Sequence, residues 1–362
     1  MSPVIAVLPG DGIGPEVTRE GIKVLKAIEE SFGCGFETRE APIGGCAYEE
    51  FGDPLPEHTM EVCRNSDAIL MGAVGGPKWD QLPLNKRPEQ ALLRIRKEFG
   101  CFANLRPIIV YPALAGVSPL KTDRILQGIN ILMVRELTGG LYYGKPKERT
   151  PFGKGFRAVD TMEYTTEEIE RIARVAFDAA RKRRKKVTSI DKANILETSR
   201  LWRETVEKVS KDYPDVALDH VLVDVGAMKL VTQPQDFDVI VTENTFGDIL
   251  SDEGSVLAGS LGMLPSGSMS TGRIAYYEPV HGSAPDIAGL GKANPIANLL
   301  SFAMCLRYSF AHLAEAELVE RAARRVLDQG FRTGDIMQPG KTLVSTRAMG
   351  DAILKELDRS GG

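Results

Sequence analysis

Histidine is scarce in this chain. His58, His220, His281 and His312 are its whole supply of imidazole and lie far apart, so no zinc-binding spacing can be read from them. The five cysteines (Cys34, Cys46, Cys63, Cys101 and Cys305) are odd in number, scattered, and include no Cys-x-x-Cys pair. That argues against a disulfide framework and for free thiols in a reducing cytoplasm. No apolar run approaches the length of a membrane span, and the opening residues pass straight into structure without the shape of a signal peptide. Neither sign of charge dominates: a formal net charge of −4 is too small to imply a nucleic-acid or membrane partner. Internal repeats and low-complexity linkers are missing as well.

What is present is a globular composition, 43% hydrophobic and 26% charged, over 362 residues. That length is long for one compact core and predicts two domains. Short apolar runs at Val4–Leu8, Ala68–Val74, Ile108–Tyr111, Asn130–Val134, Val187–Ile190, Leu218–Asp224 and Arg273–Glu278 predict strands. Amphipathic helical stretches alternate with them, which gives an α/β class. The first glycine loop, with Gly10, Gly12 and Gly14, reads G-x-G-x-G and not G-x-G-x-x-G, so a Rossmann dinucleotide fingerprint is rejected. Residues 144–163, rich in Pro and Gly, predict an extended arm. Thr165 and Glu168 predict a capping box. The basic run Arg181–Lys186 is read as a helix C-terminus, where cations favour the macrodipole, with a nucleic-acid patch as the alternative.

The most informative stretch is Asn244–Glu253. Phe237–Thr242 before it is apolar and β-branched, as a buried strand is. Gly247 predicts a turn, with a helix running from Asp248 to Ser260. Asp248 and Asp252 then stack one turn apart on one face. Two such carboxylates repel unless a divalent cation bridges them, and Mg²⁺ and Mn²⁺ prefer carboxylate oxygen. A solvated helix start would show the same pair. Arg135, Lys192, Asp224 and Asp248 all fall at or just beyond the carboxyl ends of strands, where α/β proteins gather ligands.

Seven motifs in order resemble the isocitrate/isopropylmalate family of β-decarboxylating dehydrogenases. They are GDGIGPE at 10–16, GAVGGPKWD at 72–80, NLRP at 104–107, RELTGGLYYG at 135–144, DKAN at 191–194, NTFGDILSDE at 244–253 and EPVHGSAPDIAG at 278–289. The resemblance runs from Leu8 to about Asp351. It implies a fold distinct from Rossmann: two α/β domains around a central twisted mixed sheet, with an extended dimer arm. Residues 1–103 plus 259–362 would form the cofactor-side domain. Residues 104–258, with the 144–163 arm, would form the dimerisation, metal and substrate domain. It further implies a homodimer with shared active sites, in which Lys192 and Asp224 reach toward the partner's Tyr142, Asp248 and Asp252.

On that resemblance the substrate is a 2-hydroxy dicarboxylate, oxidised by hydride transfer to NAD⁺ and then decarboxylated. Arg96, Arg106 and Arg135 would clamp its carboxylates, since a guanidinium grips a carboxylate with two bonds. Asp224, Asp248 and Asp252 would hold Mg²⁺ or Mn²⁺, which acts as a Lewis acid at the hydroxyl and its neighbouring carboxylate. Lys192 would take the hydroxyl proton, and Tyr142 would protonate the enolate carbon. Glu89, Leu92 and Leu93 would set specificity: the leucines desolvate a third carboxylate but welcome the isopropyl group of isopropylmalate. Homoisocitrate, tartrate, D-malate and isocitrate are the alternatives. Asp286 would accept the ribose hydroxyls of NAD⁺ and repel a 2′-phosphate, beside Gly75, Glu278, His281, Gly282, Ser283, Ala284 and Asn294.

Overall fold

The computed structural model describes residues 2–358 and divides into two compact units. The first comprises residues 1–101, 110–125 and 255–362; the second comprises 102–109 and 126–254. In chain order the strands are β1 (Val4–Gly10), β2 (Glu37–Glu40), β3 (Ala68–Ala73) and β4 (Cys101–Val110). Next come β5 (Ile129–Glu136), β6 (Lys147–Phe152), β7 (Gly155–Asp160), β8 (Lys186–Asp191) and β9 (Ala217–Leu222). Then come β10 (Val239–Thr242), β11 (Pro265–Ser270) and β12 (Ala275–Pro279), followed by a separate parallel pair, β13 (Phe331–Arg332) and β14 (Thr342–Leu343).

In the first unit the strand order is β2-β1-β3-β12-β11. β1 pairs in parallel with β2 and β3, and β12 in parallel with β3, while β11 runs antiparallel to β12, so the sheet is mixed. β3 reads Ala-Ile-Leu-Met-Gly-Ala and is buried at every position. A parallel strand covered on both faces needs such a continuous apolar run. The helix Gly14–Phe32 follows β1; Pro15 suits its first turn, and Gly33 ends it in the left-handed region, with its N–H on the Glu29 carbonyl. The helix Ile296–Tyr308 is buried from Ile296 through Leu306, including the polar Asn298 and Ser301 that interrupt its apolar sequence.

In the second unit the order is β4-β5-β10-β8-β9. Parallel register places Arg135 opposite Thr242, Thr242 opposite Ile190, and Asp191 opposite Leu222. The carboxyl ends of β5, β10, β8 and β9 therefore align along one edge, and Lys192, Asp224 and Asp248 leave from it. The capping box forms: the Glu168 N–H donates to Thr165 Oγ1, and the Thr165 N–H donates to Glu168. Residues 147–160 form the hairpin β6–β7, with Phe152 and Phe156 exposed at 69% and 64%. The basic run ends the helix Thr166–Arg181, and its arginines are spent on acids: Arg181 on Asp215, Arg183 on Asp238.

Three local expectations need correction. The helix expected from Asp248 begins at Asn244, and Gly247 lies inside its first turn. There glycine serves packing, because a Cβ would sit 2.6 Å from Arg135 Cγ. The strand expected from Ile108 begins at Cys101, so NLRP lies within β4, whose run from Cys101 to Arg106 is buried throughout. Asp224 does not end a strand, since β9 stops at Leu222 and Asp224 opens the helix Val223–Thr232.

Candidate active site

The second unit builds a charged cluster around the helix Asn244–Leu257. Arg135 is 2% exposed, and a guanidinium taken that far from water must be fully paired. Its Nε donates to the Asn244 carbonyl at 3.0 Å, its Nη2 to Asn244 Oδ1 at 2.9 Å, and its Nη1 to Asp248. Arg106 donates from Nε to Asn104 Oδ1 at 2.7 Å and from Nη1 to Ser251 Oγ at 2.5 Å. The same Nη1 lies 3.4 Å from Asp252 Oδ1, and Nη2 lies 3.9 Å from Asp248 Oδ1. Two buried cations thus lean on the stacked aspartates, offsetting the repulsion that one-turn spacing creates. Burial still raises the Asp252 pKa, with Asp248 adding to the rise and Arg106 opposing it.

Tyr142 Oη donates to Asp248 Oδ2 at 2.8 Å. Burial, then the bond to Asp248, push its phenol up to about 12, so it stays protonated through the neutral range. On the same sheet edge Lys192 Nζ donates to Asp224 Oδ1 at 2.5 Å, which pulls the Asp224 pKa down. Among the described residues of one chain, Asp224 does not join Asp248 and Asp252 within ligating distance.

A buried acidic network beneath this cluster escaped the sequence reading. Glu136 and Glu243 are 0% and 3% exposed. Tyr164 Oη lies 3.4 Å from Glu136 Oε2 and 3.3 Å from Glu243 Oε2, and it accepts the Asn244 N–H at 3.0 Å. Glu243 also accepts the N–H groups of Thr245 and Phe246 at 2.9 and 2.6 Å, capping the aspartate-bearing helix with a carboxylate. Desolvation raises the pKa of both glutamates. Tyr164 and Glu136 read as a loop aromatic and a strand-end acid; only pairing across the fold shows what they hold.

In the first unit Arg96 is 9% exposed. Its Nη2 lies 3.2 Å from Tyr276 Oη and 3.5 Å from Glu278 Oε1, and Tyr276 Oη donates to that carboxylate. Arg96 sits in the helix Glu89–Glu98 with Leu92 and Leu93. Leu92 packs against the apolar core, and Leu93 beside it is likewise partly buried. A Cβ on Gly75, whose φ is +97°, would meet Glu89 Oε1 at 2.6 Å, so the glycine makes room for that carboxylate.

The glycine loop and the 281–294 segment interlock. The Ile13 N–H donates to the Ser283 carbonyl at 2.8 Å, and Ser283 Oγ to the Gly75 carbonyl at 2.7 Å. Nothing fits between: a Cβ on Gly12 would lie 2.0 Å from the Ser283 oxygen. His281 Nδ1 contacts the Gly282 carbonyl at 2.9 Å, while its buried Nε2 has no hydrogen-bond partner among the described residues. Burial lowers the pKa of this ring. Ala284 has φ +38°, and Gly282 and Asp286 are exposed on the same loop. Asn294 is engaged otherwise: Oδ1 accepts the Ile296 N–H at 3.0 Å, and Nδ2 donates to Asp335 Oδ2 at 3.0 Å.

The family model for isocitrate/isopropylmalate dehydrogenase matches residues 4–353. The chain belongs to the isocitrate/isopropylmalate dehydrogenase family. The fold expected from the sequence is therefore the one it has, and the chain is an oxidoreductase of this family. It is 58% identical over 349 residues to a 3-isopropylmalate dehydrogenase from Geobacillus kaustophilus, covering 96% of this chain and 94% of that one. A 3-isopropylmalate dehydrogenase from Halalkalibacterium halodurans is 55% identical over 360 residues, 99% of each chain. Among solved structures, isocitrate dehydrogenase from Methylococcus capsulatus superposes with a TM-score of 0.87 at 35% identity, covering 99% of both chains. Among the described residues no helix is long and apolar enough to cross a membrane.

Proposed function

We propose that this protein oxidises 3-isopropylmalate at its hydroxyl carbon with NAD⁺ and releases CO₂ to give 4-methyl-2-oxopentanoate, the decarboxylating step of leucine biosynthesis. The observation that carries this reading is the cluster of two buried arginines, two stacked aspartates and a protonated tyrosine on one helix and its adjoining strands. Arg106 and Arg135, held rigid by Asn104, Ser251 and Asn244, present guanidinium edges suited to a substrate carboxylate; in the first unit Arg96 is a further cation for one.

Asp248, Asp252 and Asp224 fit Mg²⁺ or Mn²⁺: the donor set is all carboxylate, and Asp252 is 64% exposed in its side chain, open to a ligand. Because Asp224 stands apart from the other two within one chain, the complete set calls for a second copy, in keeping with a homodimer clasped by the β6–β7 hairpin. A bare two-stranded hairpin is marginal in water, so a covering partner suits it. When bound, such a cation stabilises negative charge on the substrate oxygens. Lys192 accepts the hydroxyl proton and is held in place by Asp224. Tyr142 delivers a proton to the carbon left by CO₂, and Asp248 fixes the orientation of its hydroxyl.

NAD⁺ would lie along the 281–294 segment, with the unpartnered Nε2 of His281 and the exposed carboxylate of Asp286 as its polar contacts. Gly75, Glu278, Gly282, Ser283, Ala284 and Asn294 would shape that site, Asn294 through the helix it caps. The exposed Asp286 favours a ribose hydroxyl over a phosphate. Leu93, beside Leu92 and Glu89, favours an isopropyl group; isocitrate would bring a third carboxylate to the same leucines.

The deciding experiment measures NADH formation with Mg²⁺ from 3-isopropylmalate, isocitrate and D-malate in parallel. The highest kcat/KM should belong to 3-isopropylmalate. Turnover confined to isocitrate or D-malate would sink the reading.

A further inference from the structure

Cys34, His312 and Glu315 meet in the first unit, outside everything used above. Their ligand atoms all lie within 4.8 Å of one another. Cys34 Sγ is 3.8 Å and His312 Nδ1 is 3.4 Å from the same oxygen, Glu315 Oε1. Zinc bonds of about 2.3 Å to sulfur, ~2.0–2.1 Å to nitrogen and ~2.0–2.2 Å to oxygen, set tetrahedrally, separate S from O by roughly 3.5–3.7 Å and N from O by roughly 3.3–3.5 Å. The observed spacings lie within about 0.1 Å of those ranges. A mixed thiol, imidazole and carboxylate set suits zinc, whereas Mg²⁺ seeks oxygen alone.

The three side chains also stand on anchored backbone. Cys34 follows the left-handed Gly33 cap, and two residues on, the Phe36 N–H donates to Glu29 Oε1 at 2.6 Å. His312 and Glu315 open the helix Leu313–Asp328, and the Ala311 before them is held at φ +57°. Phe36 presents its ring to His312 at 5.8 Å and 71°, edge to face, and packs on Phe310 at 5.2 Å. These rings fix the imidazole's orientation, as the supporting shell of a metal site does. The carboxylate is 16% exposed and the imidazole 31%, which leaves one open side for a water.

We propose that Cys34, His312 and Glu315 bind a zinc ion in tetrahedral geometry, with water as the fourth ligand. The ion joins the end of the first helix to the start of a helix 281 positions further on, and the thiol proton leaves to solvent as the thiolate forms. Such a site would stabilise the first unit and give the enzyme a response to zinc separate from its catalytic metal.

Cobalt titration of the full-length protein in excess Mg²⁺ tests this. Carboxylate-only sites give no thiolate-to-cobalt charge transfer, so this near-ultraviolet band reports the proposed site alone. One equivalent of Co²⁺ per chain should produce the band together with intense tetrahedral visible bands, and Zn²⁺ should displace both. Cys34→Ser, nearly isosteric, should abolish the band; His312→Ala and Glu315→Gln should weaken binding at least about tenfold; Cys46→Ser, at an exposed thiol, should keep it. At a hundredfold excess over Kd, Zn²⁺ should raise Tm by about 5 °C in wild type beyond any rise in Cys34→Ser. Absence of the band in wild type, or its survival in Cys34→Ser, overturns the proposal.

Discussion

Tyr142 and Asp248 are joined by a 2.8 Å hydrogen bond in which the phenol donates to Oδ2, while Asp248 Oδ1 takes the guanidinium of Arg135. One carboxylate thus orients both a proton donor and a cation, each on a different stretch of chain. Removing the phenol hydroxyl should leave the arginine pair intact. Tyr142→Phe should therefore lower kcat by about a hundredfold while changing KM by less than about threefold. Lys192→Met should abolish hydride transfer, read as loss of the single-turnover NADH signal. Wild-type turnover in either variant would remove that residue from the proposed chemistry.

Arg135→Lys keeps the charge but loses the fork. Lysine offers one point cation where Arg135 now spends Nε and Nη2 on Asn244 and Nη1 on Asp248. The loss should be roughly 3 kcal/mol, about a hundredfold in kcat/KM. Steady-state kinetics at several Mg²⁺ concentrations would check it; a change below threefold would mean that charge alone suffices.

Leu93→Ser should cut kcat/KM for 3-isopropylmalate by roughly 1.5–3 kcal/mol, the value of a buried apolar side chain, and leave D-malate nearly untouched. Parallel losses on both substrates would show that the leucine supports the helix and does not read the alkyl group. On the cofactor side, Asp286→Lys should raise the NADP⁺ to NAD⁺ ratio of kcat/KM.

Glu136 offers a pH test. Burial raises its pKa above the ordinary 4.5, opposed by bonds from Thr138 and Gly139 and by the charge of Arg171. The folded state therefore binds this proton more tightly than the unfolded chain. The associated stability is complete below about pH 4.5 and is lost as pH rises through the folded value. Glu136→Gln cannot titrate, so its deficit in urea unfolding should be largest near pH 4.5 and shrink toward pH 8. A deficit that grows with pH would mean that the three donors hold Glu136 charged.

Much of the framework was legible because periodicity and punctuation speak locally. The buried run of β3, the cap at Thr165 and the largely apolar helix 296–306 each carry their own signal. Boundaries failed where packing overrode the local rule: Gly247 reads as a turn until Arg135 is seen lying across it. The residue types of the candidate site were legible too, since Arg135, Lys192 and Asp248 follow runs that must be strands.

The sequence by itself determined the α/β class, the family motifs and the one-turn spacing of Asp248 and Asp252, because these depend on neighbours within a few residues. Tertiary structure alone decided what lies across the fold. It set Tyr164 between two buried glutamates, gave Asp248 to both Tyr142 and Arg135, and brought Cys34 to a histidine and a glutamate far along the chain. No spacing rule reaches such pairs, since strand register and helix packing, not sequence distance, fix which side chains meet.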